Sequence, residues 1–186
     1  MHLREVEAPR AALVLGHGAG GGVESPDLVG ATNAANAAGL SVALFEQPYR
    51  VAGRRSPSPA RQLDEAWLAV VPQLFPNLPL IAGGRSAGAR VACRTAAQTG
   101  AVAVLCLAFP VHPPGGPEKT RLPELDAVEV PTLVVQGEND PFGMPPEAPN
   151  RKVVRVPGTH SLRSSATVAE AVSGWLETVV SAVTTA

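Results

Sequence analysis

Six short apolar runs alternate with segments of helical periodicity, and this alternation narrows the fold more than any other feature. The runs are Ala11–Leu15, Ser41–Phe45, Leu78–Ala82, Val102–Leu107, Thr132–Gln136 and Lys152–Val156. They are near-continuous, so both faces of each strand need cover. Between them, Ser25-Pro26 supplies a capping hydroxyl and an N1 proline for a helix over Asp27–Ala38 that stops at Gly39. Leu63, Ala66, Trp67, Val70 and Leu74 share one helical face, with Pro72 shortening or kinking its end. A small-residue helix over Ser86–Gln98 stops at Gly100. Val168, Val172, Trp175, Leu176, Val179 and Val183 stripe the last helix, after a Ser164-Ser165 start. The order predicts an α/β fold of three layers: a mostly parallel sheet of about six strands with helices on both faces.

Composition removes several classes of function. The 186 residues show no internal repeat and no compositional break, so 1–186 reads as one domain. Fifteen basic against sixteen acidic residues leave a net charge of −1, with no electrostatic footprint for nucleic acid or an anionic membrane. Two cysteines, Cys93 and Cys106, are too few for a disulfide scaffold or a four-cysteine zinc site and read as core. The longest apolar run, Ala101 to Phe109, has about half the length of a membrane span. The expectation is a soluble protein of a reducing cytoplasm.

Three proline-rich segments, Pro48–Pro59, Pro110–Pro123 and Pro141–Pro149, each follow a predicted strand. In open parallel sheets the ligand crevice lies outside the strands' carboxyl ends, so these segments should rim a site. At the centre is Gly84-Arg85-Ser86-Ala87-Gly88, a G-x-S-x-G pentapeptide between a strand and a helix. Flanking glycines let strand and helix approach closely around an exposed serine at a helix N-terminus. A plain strand-to-helix turn with Ser86 as helix cap carries the same pentapeptide. Placement of possible partners favours the nucleophile. Thr132–Gln136 runs into Gly137-Glu138-Asn139-Asp140-Pro141, and Lys152–Val156 into Pro157-Gly158-Thr159-His160. The order Ser86, Asp140, His160 is nucleophile, acid, base. Asp140 is preferred over Glu138 because Pro141 fixes the turn that presents it.

An acyl-transfer site also needs donors for the tetrahedral oxyanion. Ala87, after the nucleophile, is one candidate. The other lies in Gly16-His17-Gly18-Ala19-Gly20-Gly21-Gly22, with Ala19 preferred and Gly20 as alternative. That loop fits neither G-x-G-x-x-G nor a P-loop, which argues against nucleotide binding. Arg85, His17 and His112 are further candidates to line the substrate site, His17 by bracing the loop. Arg85 and Arg54-Arg55 raise a preference for anionic substrates; pairing with acidic side chains is the competing reading. Asp64 and Asp126 read as exposed charges.

Together these residues resemble the α/β-hydrolase superfamily from Ala11 to the last helix. The likeness is nearest to small lidless members around the dienelactone hydrolases. It is also similar to the hydrolase-like domain in a subunit of the NSL histone-acetyltransferase complex and its bacterial relatives. The carrying stretches are Gly16–Gly20, Gly83–Arg90, Gly137–Gly143 and Gly158–Ser161. The resemblance implies Ser86 as nucleophile, Asp140 as acid and His160 as base, on a truncated sheet without a lid domain. Dienelactone hydrolases use cysteine where this chain has Ser86, which argues against that reaction. The implied activity is hydrolysis of a small-molecule carboxylic ester or similar acyl bond, with no metal and no cofactor. An acyltransferase, or a non-catalytic interaction module on the same fold, are the alternatives. Nothing in the sequence sets the oligomeric state.

Overall fold

A computed structural model describes residues 1–184 of the chain. The strands are β1 (His2–Arg4), β2 (Ala11–Gly16), β3 (Leu40–Phe45), β4 (Leu80–Arg85), β5 (Ala103–Leu107), β6 (Thr132–Gly137) and β7 (Arg151–Val156). The helices are α1 (Pro26–Ala37), α2 (Pro48–Val51), α3 (Ala60–Leu74), α4 (Ala87–Thr99), α5 (Leu122–Asp126) and α6 (Ser165–Thr184). All seven strands join one sheet in the order β1-β3-β2-β4-β5-β6-β7, parallel except for β1.

The sheet therefore has one strand more than the six apolar runs. β1 is an antiparallel edge strand, with Leu3 opposite Ala43. An edge strand with solvent on its outer side needs no apolar run, so its three residues carry no periodic signal. β4 also runs further than its apolar stretch. Gly83 and Gly84 look like a turn in sequence, yet they pair with Leu105 and Cys106 on one side and with Leu15 and Gly16 on the other. The strand thus delivers Ser86 directly to its carboxyl end.

Residue alternation along the strands divides the core between the two faces. Leu13 and Leu15 of β2 face α1 and α6, where they cluster with Leu28, Val172 and Leu176. Val14, between them, faces α3 and α4 and joins Trp67, Val91 and Phe109. Trp67 is fully buried and meets Phe45 edge-on, with ring centroids 5.3 Å apart. Pro72 lies inside α3, two residues from its end, where few later N–H groups depend on the carbonyls it disturbs. The proline-rich segments hold only the short helices α2 and α5. None of the helices among the described residues is long and apolar enough to cross a membrane.

Because β2, β4, β6 and β7 run parallel, the loops after them emerge at one edge of the sheet. Trp67 packs beneath that edge, since a Cβ on Gly16 would lie 3.2 Å from its ring. Replacing Trp67 by Ala should lower stability by about 3–5 kcal/mol, read as a lower urea midpoint with a similar slope. A loss below about 1 kcal/mol would contradict a packed core at this position.

Candidate active site

Ser86 connects β4 to α4 with φ 51° and ψ −107°, a conformation seldom adopted by residues with side chains. Neighbouring backbone leaves little choice. The Ser86 N–H donates to Leu107 O at 2.9 Å, and its own carbonyl accepts from Arg90 N–H at 3.2 Å. A Cβ on Gly88 would collide with the Gly16 carbonyl, and one on Gly84 would press on both Gly16 and the start of α4. The two pentapeptide glycines are thus required by the contact between β2, β4 and α4. Although Ser86 is the residue that precedes α4, its side chain makes no capping hydrogen bond.

The hydroxyl is engaged elsewhere. Ser86 Oγ lies 2.9 Å from His160 Nε2, and His160 Nδ1 lies 2.9 Å from Asp140 Oδ2. An ionised carboxylate only accepts, so Nδ1 carries the imidazole proton and Nε2 accepts from the serine hydroxyl. The Asp140 side chain is fully buried. Its Oδ1 accepts the Phe142 N–H at 2.9 Å, and its Oδ2 also accepts from Gln136 Nε2 at 2.8 Å. The Phe142 ring meets the His160 imidazole edge-on, with centroids 4.4 Å apart. Glu138, the rival acid, is exposed.

The loop after β2 stands beside Ser86. His17 Nε2 accepts the Gln47 N–H at 3.0 Å, which leaves the proton on Nδ1, and that donates to Gly18 O at 2.7 Å. Tyr49 Oη–H donates to Ala19 O at 3.1 Å. In a trans peptide the N–H points opposite to the preceding carbonyl. Holding Gly18 O on the His17 side therefore turns the Ala19 N–H the other way, and Tyr49 does the same for Gly20. Ala87, in the first turn of α4, has an N–H without an intrahelical partner. Ala19, Gly20, Ser86, Ala87 and His160 all line one cavity of about 470 Å³. Its other walls include Leu63, Pro110, Pro114 and Phe142, and the arginines 85, 90, 94 and 121.

Residues 9–169 match the model of a family described as an alpha/beta hydrolase domain. The chain belongs to that family. Solved structures show the same fold at low identity. A lidless α/β serine hydrolase from Xanthomonas campestris superposes with a TM-score of 0.74 at 20% identity, over 93% of this chain and 87% of that one. Est1E from Butyrivibrio proteoclasticus, in a structure with ferulic acid bound, gives 0.74 at 19% identity, over 97% and 94%. A dienelactone hydrolase from Anabaena variabilis gives 0.70 at 20% identity, over 93% and 88%. No curated protein matches the sequence.

Within this α/β-hydrolase, the three residues offered for the substrate site part ways: His17 braces the loop as expected, Arg85 lines the cavity, and His112 is not part of its wall. His17 is fully buried and both ring nitrogens are occupied, so it braces the loop and touches no ligand. His112 bonds the Pro113 carbonyl at 3.1 Å and lies outside the cavity wall. Arg85 does line the cavity, but Nε pairs with Asp27 at 3.0 Å and Nη2 donates to His160 O at 3.2 Å. It ties the start of α1 to the histidine loop. Arg54 and Arg55 are exposed and do not line the cavity, although Pro57 and Ser58 of the same segment do. Asp64, expected in solvent, is about one-fifth exposed and pairs with Arg94. Gln136, Tyr49 and Phe142 were not singled out in the sequence. Gln136 carried one usable signal, a polar side chain ending an otherwise apolar strand. No group of three or more His, Cys, Asp or Glu among the described residues could hold a metal ion.

Burial, outweighing the Gly18 carbonyl's opposing pull, lowers the His17 pKa below its ordinary 6.5. The unfolded chain takes up this proton near 6.5 and the folded chain only at lower pH. Stability should therefore fall as pH drops through 6.5, until the folded imidazole titrates as well. Two-bond ¹H–¹⁵N spectra should show His17 neutral and protonated on Nδ1 at about pH 7, with its titration midpoint below the ordinary 6.5. Half-titration at or above 6.5 would contradict this reading.

Proposed function

We propose that the protein is a serine hydrolase that cleaves a small-molecule carboxylic ester, or a similar acyl bond, through an acyl-enzyme on Ser86. The observation that carries this reading is the unbroken hydrogen-bonded chain from buried Asp140 through His160 to Ser86 Oγ, opening into the cavity. Family membership and structural likeness to a lidless serine hydrolase support it.

In the proposed reaction, Ser86 Oγ attacks the carbonyl carbon while His160 Nε2 takes the hydroxyl proton. Asp140 holds the imidazole in the required tautomer and stabilises the imidazolium. The Ala87 and Ala19 N–H groups, with Gly20 as the alternative to Ala19, receive the negative oxygen of the tetrahedral intermediate. When that intermediate collapses, the carbonyl–oxygen bond to the leaving group breaks and His160 gives its proton to the departing oxygen. A water then attacks the acyl carbon, passing its proton to His160. The Ser86 ester bond breaks as His160 returns the proton to Oγ. Dependence on three side chains acting in one proton path makes their removal strongly non-additive.

A fluorophosphonate probe should label the wild-type protein and fail to label Ser86→Ala. With an ester substrate, Ser86→Ala should lower kcat by about 10⁶, and Asp140→Asn by about 10⁴. Labelling that never occurs, or that persists in Ser86→Ala, would instead favour a non-catalytic module.

A further inference from the structure

The cavity beside Ser86 contains four arginines, and three are already matched. Arg85 is paired with Asp27. Arg90 Nε reaches Glu124 Oε2 at 2.8 Å, and its Nη2 bonds Oε1. Arg94 spans Asp64, through two hydrogen bonds of 2.8 and 2.7 Å, and Glu124 at 3.0 Å. Both carboxylates are thereby paired with arginines of α4. Although burial would raise the Glu124 pKa, hydrogen bonds and charge from Arg90 and then Arg94 hold it below its ordinary value.

Arg121 is different. It is half-buried in the same wall, and its side chain makes no hydrogen bond or ion pair among the described residues. Its backbone is engaged instead: the N–H donates to Val111 O at 2.7 Å, and the carbonyl accepts from the Glu124 N–H at 3.0 Å. Burial, then the charge of Arg90, with a smaller push from Arg94, lowers its pKa, and Glu124 offsets this only in part. Arg90, Arg94 and Arg121 face two carboxylates, so this side of the cavity carries one unmatched positive charge. Leu63, Pro110, Pro114 and Phe142 add apolar surface to the same wall, beside Ser58, Ser86 and His160.

We propose that the substrates are esters with an apolar body and a free carboxylate remote from the scissile bond, and that Arg121 binds that carboxylate. This inference rests on Ser86 acting as the nucleophile and names the substrate class of the same site. One unmatched positive charge fits a monoanion, and the planar guanidinium presents two parallel donors to the two carboxylate oxygens. Screened less by water inside the cavity than on the surface, such a pair discriminates charged from neutral esters more strongly than an exposed arginine would. Arg121 is thus the specificity-determining residue that Arg85 and Arg54-Arg55 are not.

The test compares 4-nitrophenyl hydrogen adipate with its methyl ester, which has the same chain and no charge. Wild type should favour the carboxylate ester in kcat/KM by about 10- to 100-fold, mostly through KM. Arg121→Gln should remove that preference, lowering kcat/KM for the carboxylate ester at least about tenfold more than for the neutral ester. Arg121→Lys should keep part of the preference. Fluorophosphonate should label Ser86 in all three proteins, because the nucleophile is the same in each. Labelling together with equal kcat/KM for the two esters in wild type, or a preference that survives in Arg121→Gln, would overturn the assignment and leave the hydrolase reading standing. Absence of labelling would instead overturn the hydrolase reading. Calorimetric binding of monomethyl adipate to Ser86→Ala, which cannot form an ester with it, then decides the anion site alone: at least about tenfold weaker binding when Arg121→Gln is added supports it, and equal affinity rejects it.

Discussion

The structure depends on one backbone residue held where side-chain-bearing residues seldom lie. Ser86, at φ 51° and ψ −107°, turns the chain from β4 into α4 so sharply that its hydroxyl stands clear of both elements. Such a conformation costs on the order of 1–3 kcal/mol and persists only where its surroundings over-determine it. The surroundings here are the parallel neighbours. Ser86 N–H is bonded to the last residue of β5, and Ala108, at the next strand's end and also at φ 51°, is bonded in the same way to Val135 of β6. The sheet thus distributes two tight turns along one edge. Contact between Gly16, Gly84 and Gly88 closes the remaining space, so the loop carrying Ala19 is placed by the backbone that strains the serine.

This coupling explains why the meeting of Ser86, Asp140 and His160 at one edge was legible in the sequence while much of its support was not. Ser86, Asp140 and His160 each stand just beyond an apolar run, and parallel strands carry such positions to one edge whatever the intervening helices do. Chain order then limits the possible roles. The supporting contacts have no such regularity. Gln47 meets His17 through a backbone N–H, and Tyr49 meets Ala19 through a carbonyl, so neither contact depends on a pattern of side chains. Gly83 and Gly84 resembled a turn because glycine usually marks one. Here they remain extended because a Cβ would strike Leu105 O or Gly16 O. β1 was hidden for a simpler reason: three residues at a solvated edge carry too little hydrophobic contrast.

The arginines show the same division between local and distant information. Sequence placed Arg85 beside the nucleophile and suggested contact with substrate. Its partner, Asp27, lies 58 residues away at the start of α1 and is almost completely buried. Removing either charge would leave the other desolvated and unpaired, so the pair fixes loop geometry rather than supplying net stability. Arg90 and Arg94 act on a second boundary. Spaced by one helical turn on α4, they hold Glu124 of α5, and Arg94 also holds Asp64 of α3. The helix that begins at the nucleophile is therefore fastened to both elements flanking the cavity.

That fastening bears on the fate of an acyl-enzyme. The segment after β5, from Pro110 to Pro131, contains only the five-residue helix α5, and Glu124 in that helix is bound to two arginines of α4. A segment so short and so tied is poorly suited to close over Ser86. Transfer of an acyl group to an acceptor other than water requires water to be excluded while the acceptor is bound. If Ser86 forms the proposed acyl-enzyme, a cavity whose wall is tied by these ion pairs and carries no added lid lets solvent reach the acyl carbon once the leaving group has departed. Such a wall favours hydrolysis over transfer, and substrate choice then falls to charge and apolar shape rather than to closure.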